Sequence, residues 1–234
     1  MKFQKYMAVG ILGLTMALGF SGCQSENQKN QDAYRKIGIN SMAEGDYDKA
    51  VKSFQKALDT SLGKIGAEEI DICYYKAAAQ FAKKDYDGAI ETYTSLIDYD
   101  KENANAYYLR GSVYLDTDKQ DKAFKDYKNA VKYAGREYEI YEGIYENLTN
   151  KGETEEAKNY LKKALDIKPK DGADYAEQGH VYYLLEDYTQ AKSSLDRAID
   201  KDDKTALLYL AEVYNATDQQ EQGQALLESY VTVS

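Results

Sequence analysis

The chain is poor in the residues that build most catalytic and metal centres. Its 234 residues include one histidine, two cysteines, one proline and no tryptophan. Zinc sites need three or four nitrogen, sulfur or carboxylate ligands, and a nucleophilic triad needs a histidine beside its nucleophile. His180 has no second histidine or free cysteine to join it. The sequence therefore predicts no metal site, no cofactor and no enzymatic activity, although a site made of two carboxylates stays open.

Positive charge is also scarce. The chain has 30 basic and 40 acidic residues, a net charge of −10, and no basic cluster beyond its N-terminus. A nucleic-acid interface needs lysine and arginine to neutralise phosphates. The charge balance therefore argues against nucleic acid as a partner, and is better suited to keeping an exported protein soluble.

The first 22 residues have the layout of a secretory signal. Lys2 and Lys5 precede an apolar stretch over 8–20, which is too short for a stable membrane span with these flanks. The following Phe20-Ser21-Gly22-Cys23 resembles the lipobox of bacterial lipoproteins, except that Phe20 stands where leucine is usual. The resemblance implies cleavage before Cys23 and attachment of acyl chains such as palmitate to its thiol. The alternative is an ordinary signal peptide with a cysteine near its end.

The rest of the chain is predicted to be a tether and one folded domain. Residues 23–31 lack apolar side chains after Cys23 and predict a lipidated flexible tether. Residues 32–234 form the repeat domain described next. With Cys23 lipidated, Cys73 has no partner for a disulfide. We interpret it as a buried, inert thiol, the alternative being a reactive one.

A repeat of about 34 residues runs through this domain. One small residue recurs at intervals of 39, 34, 34, 34 and 32 residues: Ala50, Ala89, Ala123, Ala157, Ala191 and Gly223. Apolar residues follow at spacings of four and three, which places them on one helical face. A second small residue lies twelve positions earlier in most units, as at Gly38, Gly111 and Gly179. Each unit is therefore predicted to be a helix, a turn and a second helix.

These recurring positions resemble the tetratricopeptide repeat, whose units carry an aromatic residue, a leucine, a glycine and a tyrosine in the first helix. The clearest matches are the segments 107–114 and 175–182, and Pro169 lies where that family places its proline. The resemblance implies an all-α, right-handed superhelical solenoid of about six repeats, or twelve antiparallel helices. Aspartates before the second helices, as in Asp46-Tyr47-Asp48, are expected to be helix N-caps. The last helix is expected to carry polar residues outward, the alternative being that its apolar side meets a partner.

The resemblance also implies where ligands bind, because these repeats usually use the concave groove lined by their first helices. From their positions within the repeat, the residues expected in that groove are Tyr74, Phe81, Tyr108, Leu115, His180 and Tyr183. Such a set suits an extended or helical protein segment with bulky side chains, the alternative being that each residue packs on the adjacent helix. Glu142 and Glu146 in the same groove favour a neutral or basic ligand.

Together these features predict a membrane-anchored lipoprotein that acts as a protein-binding scaffold in the bacterial cell envelope. Its partners are expected to be envelope proteins or peptide segments, and its lipid would hold it to the membrane. The alternatives are a holder or regulator of cell-wall-remodelling enzymes, or a protein that binds wall carbohydrate. The excess of lysine over arginine favours a Gram-positive cell, with the protein on the extracytoplasmic face of the cell membrane. In a Gram-negative cell, Gln24 would favour the outer membrane.

Overall fold

The computed structural model describes residues 25–61, 63 and 65–233. The predicted signal peptide and the lipidation site Cys23 lie outside these residues. Within them the protein has twelve α-helices and no strand, so the all-α prediction is confirmed. None of these helices is both long and apolar enough to cross a membrane. The chain divides after Tyr133 into two compact units of three helical hairpins each.

Unit 1 and unit 2 each contain six helices. Those of unit 1 are α1 (Glu26–Ala43), α2 (Tyr47–Asp59), α3 (Ala67–Ala82), α4 (Tyr86–Tyr99), α5 (Ala104–Asp116) and α6 (Gln120–Tyr133). Those of unit 2 are α7 (Tyr138–Asn150), α8 (Thr154–Ala164), α9 (Gly172–Leu184), α10 (Tyr188–Ile199), α11 (Thr205–Ala216) and α12 (Gln220–Val233). Odd-numbered helices are the first helices of the repeats, and even-numbered helices are the second.

The turn inside every hairpin has the same backbone geometry. Its left-handed residue recurs in step with the sequence repeat: Gly45, Lys84, Asp118, Gly152, Glu186 and Asp218. The next residue donates its backbone N–H five residues back, as Asp46 does to Ser41 O at 2.9 Å, which closes the first helix as a Schellman motif. Asp46 then caps the second helix by accepting from Lys49 N at 3.0 Å. Asp85 and Asp187 do the same, which confirms their predicted capping role.

Three of the hairpins are held by a glycine of the first helix against a larger residue sixteen positions later. Gly38 faces the ring of Phe54, Gly111 faces Tyr127, and Gly179 faces Leu195. A Cβ at any of these glycines would lie under 3.0 Å from the facing side chain, at 2.5, 2.8 and 2.6 Å respectively. The recurrent glycines therefore allow two helices to approach closely, and the facing side chains are fully buried.

The structure differs from the sequence prediction at the tether. Helix α1 begins at Glu26, inside the segment 23–31 that was expected to be flexible. Ser25 caps the helix by accepting from Gln28 N, and the side chain of Gln31 is buried and donates to Glu69 of α3 at 2.7 Å. A polar sequence can form a helix when its N-terminus is capped and one of its side chains meets a partner on the next repeat.

Candidate functional site

The four predicted groove residues of unit 1 are largely used in packing. Tyr108 and Leu115 are only 8% and 5% exposed. The Tyr74 hydroxyl donates to Asn103 Oδ1 at 2.6 Å, and Phe81 packs edge-on against Tyr86 at 5.5 Å between ring centroids. Tyr74 and Phe81 remain half-buried, so they are the ones of this set that present ring surface to solvent.

Two arginines on the first helices of unit 1 are paired within the protein. Arg35 on α1 donates to the Asp71 carboxylate on α3, with Nε 2.8 Å from Oδ2, and its guanidinium lies 5.3 Å from the centroid of the Tyr75 ring. Arg110 on α5 makes a two-point contact with the buried carboxylate of Asp126 on α6. Carboxylates also meet on this side, because burial and a hydrogen bond with Asp32 raise the pKa of Glu68 on α3 to about 7.

The first helices of unit 2 bring together aromatic and acidic side chains. We call this surface the unit 2 face, made of Glu139, Glu142, Glu177, His180, Tyr183, Tyr209 and Glu212. The imidazole of His180 stacks on Tyr209 with 4.3 Å between centroids and on Tyr183 with 6.1 Å. Thus His180 and Tyr183, two residues that the sequence predicted for the site, do lie together.

Two glutamates complete the surroundings of His180. The Nδ1 atom lies 2.9 Å from Oε1 of Glu142, so an N–H there donates to the carboxylate. Glu177 lies one helical turn before His180 on α9. One atom of each of these three residues that could bind a metal lies within 4.8 Å of the corresponding atoms of the other two. All three side chains are half-buried. We call this trio the Glu–His cluster.

Electrostatics on the unit 2 face are dominated by carboxylates. Burial raises the pKa of Glu177 to about 7, and repulsion from Glu142 and Glu139 adds to the rise. Burial alone would lower the pKa of His180, but the hydrogen bond and charge of Glu142, helped by other glutamates of the face, raise it overall. Burial and the same carboxylates raise the pKa of Tyr209. The face therefore favours cationic groups over anionic ones.

The Glu–His cluster was not predicted from the sequence, because only a second histidine or a cysteine was considered as a partner for His180. Glu142 was expected in the same groove, but it is 38 residues from His180, and the sequence does not show that the two side chains meet. One local signal was available: Glu177 and His180 are spaced as Glu-x-x-His, which places both on one side of a helix. Tyr209 was missed because it lies two residues after Leu207, which occupies the aromatic position of its repeat, and not at a position assigned to the groove.

Comparison with known families recognises the repeats along most of the described chain. One model described as TPR repeat matches residues 77–118. Two models described as tetratricopeptide repeat match residues 35–93 and residues 104–136, 146–171 and 175–204. Together these matches cover more than half of the chain.

Two curated proteins are similar to this chain over part of their length. The chain is 21% identical over 217 residues to anaphase-promoting complex subunit 3 of Schizosaccharomyces pombe, covering 80% of this chain and 33% of that protein. It is 27% identical over 154 residues to human tetratricopeptide repeat protein 13, covering 61% of this chain and 17% of that protein. The chain thus spans a third or less of the curated relatives it matches.

A solved tetratricopeptide repeat protein from Parabacteroides merdae shares the fold. The TM-score is 0.51 at 15% identity, over 88% of this chain and 80% of that one. The helical hairpins, their glycine contacts and the family matches agree. The chain belongs to the tetratricopeptide-repeat proteins, whose stacked hairpins serve as scaffolds for protein–protein interactions.

Proposed function

We propose that the protein is a non-catalytic, lipid-anchored scaffold that binds an envelope protein through the unit 2 face. The observation that carries the proposal is the combination, on one face, of the stacked rings of His180, Tyr183 and Tyr209 with four glutamates. Aromatic side chains on scaffold surfaces serve as binding hot spots, and carboxylates select for lysine or arginine on the partner. The ligand is therefore a basic segment that also carries bulky apolar side chains.

The anchoring part of the proposal depends on the N-terminal sequence. The lipobox-like Phe20-Ser21-Gly22-Cys23 supports lipidation of Cys23, and at least two acyl chains would hold the protein stably to the membrane. We propose the extracytoplasmic face of the cell membrane of a Gram-positive cell, or the outer membrane of a Gram-negative one. The alternative functions are regulation of cell-wall-remodelling enzymes and binding of wall carbohydrate, for which exposed tyrosines would serve as stacking surfaces.

The binding proposal can be tested by crosslinking in cells and purification of the full-length lipidated chain. The informative variant is Glu139→Lys with Glu212→Lys, because both side chains are exposed and reversing their charge should leave the fold intact. Its matched control is Glu155→Lys with Glu228→Lys, which changes the same charge on second helices. We expect a defined partner to copurify with wild type and control and to be reduced at least tenfold with the first variant.

Two outcomes would contradict the binding proposal. Equal recovery of the partner with both double variants would place the contact away from the unit 2 face. Recovery of wall polymer in place of a protein would favour the carbohydrate-binding alternative.

Lipidation makes a separate prediction. Cells fed an alkyne analogue of palmitate should label the wild-type chain and the Cys73→Ser variant, but not Cys23→Ser. Mass spectrometry of the membrane fraction should find a chain that begins at acylated Cys23. Equal labelling of Cys23→Ser, or a mature N-terminus elsewhere, would show that the lipobox resemblance is misleading.

A further inference from the structure

The potential ligand atoms of the Glu–His cluster lie close enough together to bind one metal ion. At the tetrahedral angle of most zinc sites, two ligand atoms that are each about 2.1 Å from the metal are about 3.4 Å apart. The 2.9 Å between His180 Nδ1 and Glu142 Oε1 is the length of their hydrogen bond, so the two atoms would move apart by about 0.5 Å to hold the ion. Glu177 contributes a third donor atom within the same 4.8 Å sphere. The three ligands come from α7 and α9, so the site would bridge two successive repeats.

The ring of His180 is held in a fixed orientation, as it is in most metal sites. Its plane lies within 10° of Tyr209 and 16° of Tyr183, which restricts rotation of the imidazole. The stacked rings therefore hold the imidazole in place, but its Nδ1 atom must lose the proton that it donates to Glu142 before it can bind a cation, so binding releases a proton.

The surrounding charge also favours a cation at this point. One oxygen atom of Glu142 and one of Glu177 lie within 4.8 Å of each other, and a cation between the two carboxylates would offset their mutual repulsion. The exposed glutamates Glu139 and Glu212 add attraction without supplying ligands to the cluster.

We propose that Glu142, Glu177 and His180 form a binding site for a divalent transition-metal ion such as Zn²⁺. One imidazole nitrogen with two carboxylates suits Zn²⁺ or a neighbouring first-row ion better than Mg²⁺ or Ca²⁺, which prefer oxygen ligands alone. Three protein ligands leave at least one position open for water or for a side chain of a partner. The ion would link α7 to α9 at the point where Glu142 already contacts His180.

The test uses the full, untagged chain in detergent, stripped of metal and carrying Cys23→Ser and Cys73→Ala so that no thiol competes. Calorimetric titration should show saturable binding of one Zn²⁺ ion per chain, and added Mg²⁺ should not displace that ion. Glu142→Gln, Glu177→Gln and His180→Gln should each weaken binding at least tenfold. Glu212→Gln removes the same charge from the same face but removes no ligand, so it should change the affinity for Zn²⁺ less than threefold.

A spectroscopic measurement separates coordination from loss of folding. Co²⁺ added to the unmutated cluster should give visible d–d absorption, which Zn²⁺ quenches and which Glu142→Gln alters while the helical circular dichroism is unchanged. Absence of saturable Zn²⁺ binding, or equal weakening by Glu212→Gln, would overturn the proposal. Because no partner protein is present, this result is independent of the scaffold proposal.

Discussion

The surroundings of His180 are built from three successive repeats. Glu142 lies on α7, Glu177 and His180 on α9, and Tyr209 on α11. No single hairpin contains this arrangement, so its chemistry depends on stacking between neighbouring repeats. Substitutions at these residues should therefore change both the pKa values of their neighbours and the free energy of unfolding of unit 2.

In metal-free protein, Glu177 should make stability depend on pH. The pKa of Glu177 in the folded protein is about 7, above the ordinary value of 4.5. Its contribution to the free energy of unfolding is therefore fully present below about pH 4.5 and is lost as the pH rises through 7. The raised pKa of His180 acts in the same direction. In Glu177→Gln, we expect the free energy of unfolding to fall less between about pH 5 and 8 than it does in wild type. At pH 8 the variant should be more stable than wild type by an amount on the order of 1–3 kcal/mol.

Urea unfolding of metal-free wild type and Glu177→Gln across that range measures the effect. Glu212→Gln is the control, because it removes a carboxylate that is exposed. A slope with pH that is identical in wild type and Glu177→Gln would show that Glu177 titrates near its ordinary value.

The Arg110–Asp126 pair is a second residue-level test. Nε and Nη2 of Arg110 donate to the Asp126 carboxylate at 2.7 and 2.9 Å, and Nη1 donates to Thr94 of the preceding repeat at 2.9 Å. Asp126 is only 3% exposed. Arg110→Met should therefore destabilise unit 1 by about 3–5 kcal/mol, because it leaves a buried carboxylate unpaired. Adding Asp126→Leu should recover much of that loss in denaturant unfolding, and a loss that is simply additive would contradict this reading.

At the scale of the helical element, the hairpin turns provide a matched pair of substitutions. Lys84 has φ +67° and Gly152 has φ +85°, and both occupy the same position of the turn. A side chain with a Cβ is disfavoured in this region, whereas glycine adopts it readily. We expect Lys84→Gly to raise stability by about 0.5–1 kcal/mol and Gly152→Ala to lower it by about 1 kcal/mol. Thermal unfolding would contradict the account if both changes had the same sign.

Helices and turns could be predicted from the sequence because their causes are local and periodic. The recurring small residues and the capping aspartates both follow from spacing in the chain. The start of α1 could not be predicted, because the burial of Gln31 depends on Glu69 in the next repeat. The Glu–His cluster was missed for the same reason: the contact between Glu142 and His180, 38 residues apart, depends on how α7 and α9 are placed by the stacked repeats.

At the scale of the whole molecule, the two units carry different groups on the same hairpin. On the first helices of unit 1, Arg35 is paired with Asp71, and burial and Asp32 raise the pKa of Glu68 to about 7. Those of unit 2 place the stacked rings of His180, Tyr183 and Tyr209 among four glutamates. Periodicity thus determines the fold, while the residues that face outward from the first helices determine what each unit can bind.

The central claim is that a basic protein segment binds the unit 2 face. Its most direct test is hydrogen exchange of the purified chain with and without the partner obtained by crosslinking. The account predicts that added protection is concentrated in α7, α9 and α11 and is lost in the Glu139→Lys, Glu212→Lys variant. Protection confined to α8, α10 or α12, or retained in that variant, would contradict it.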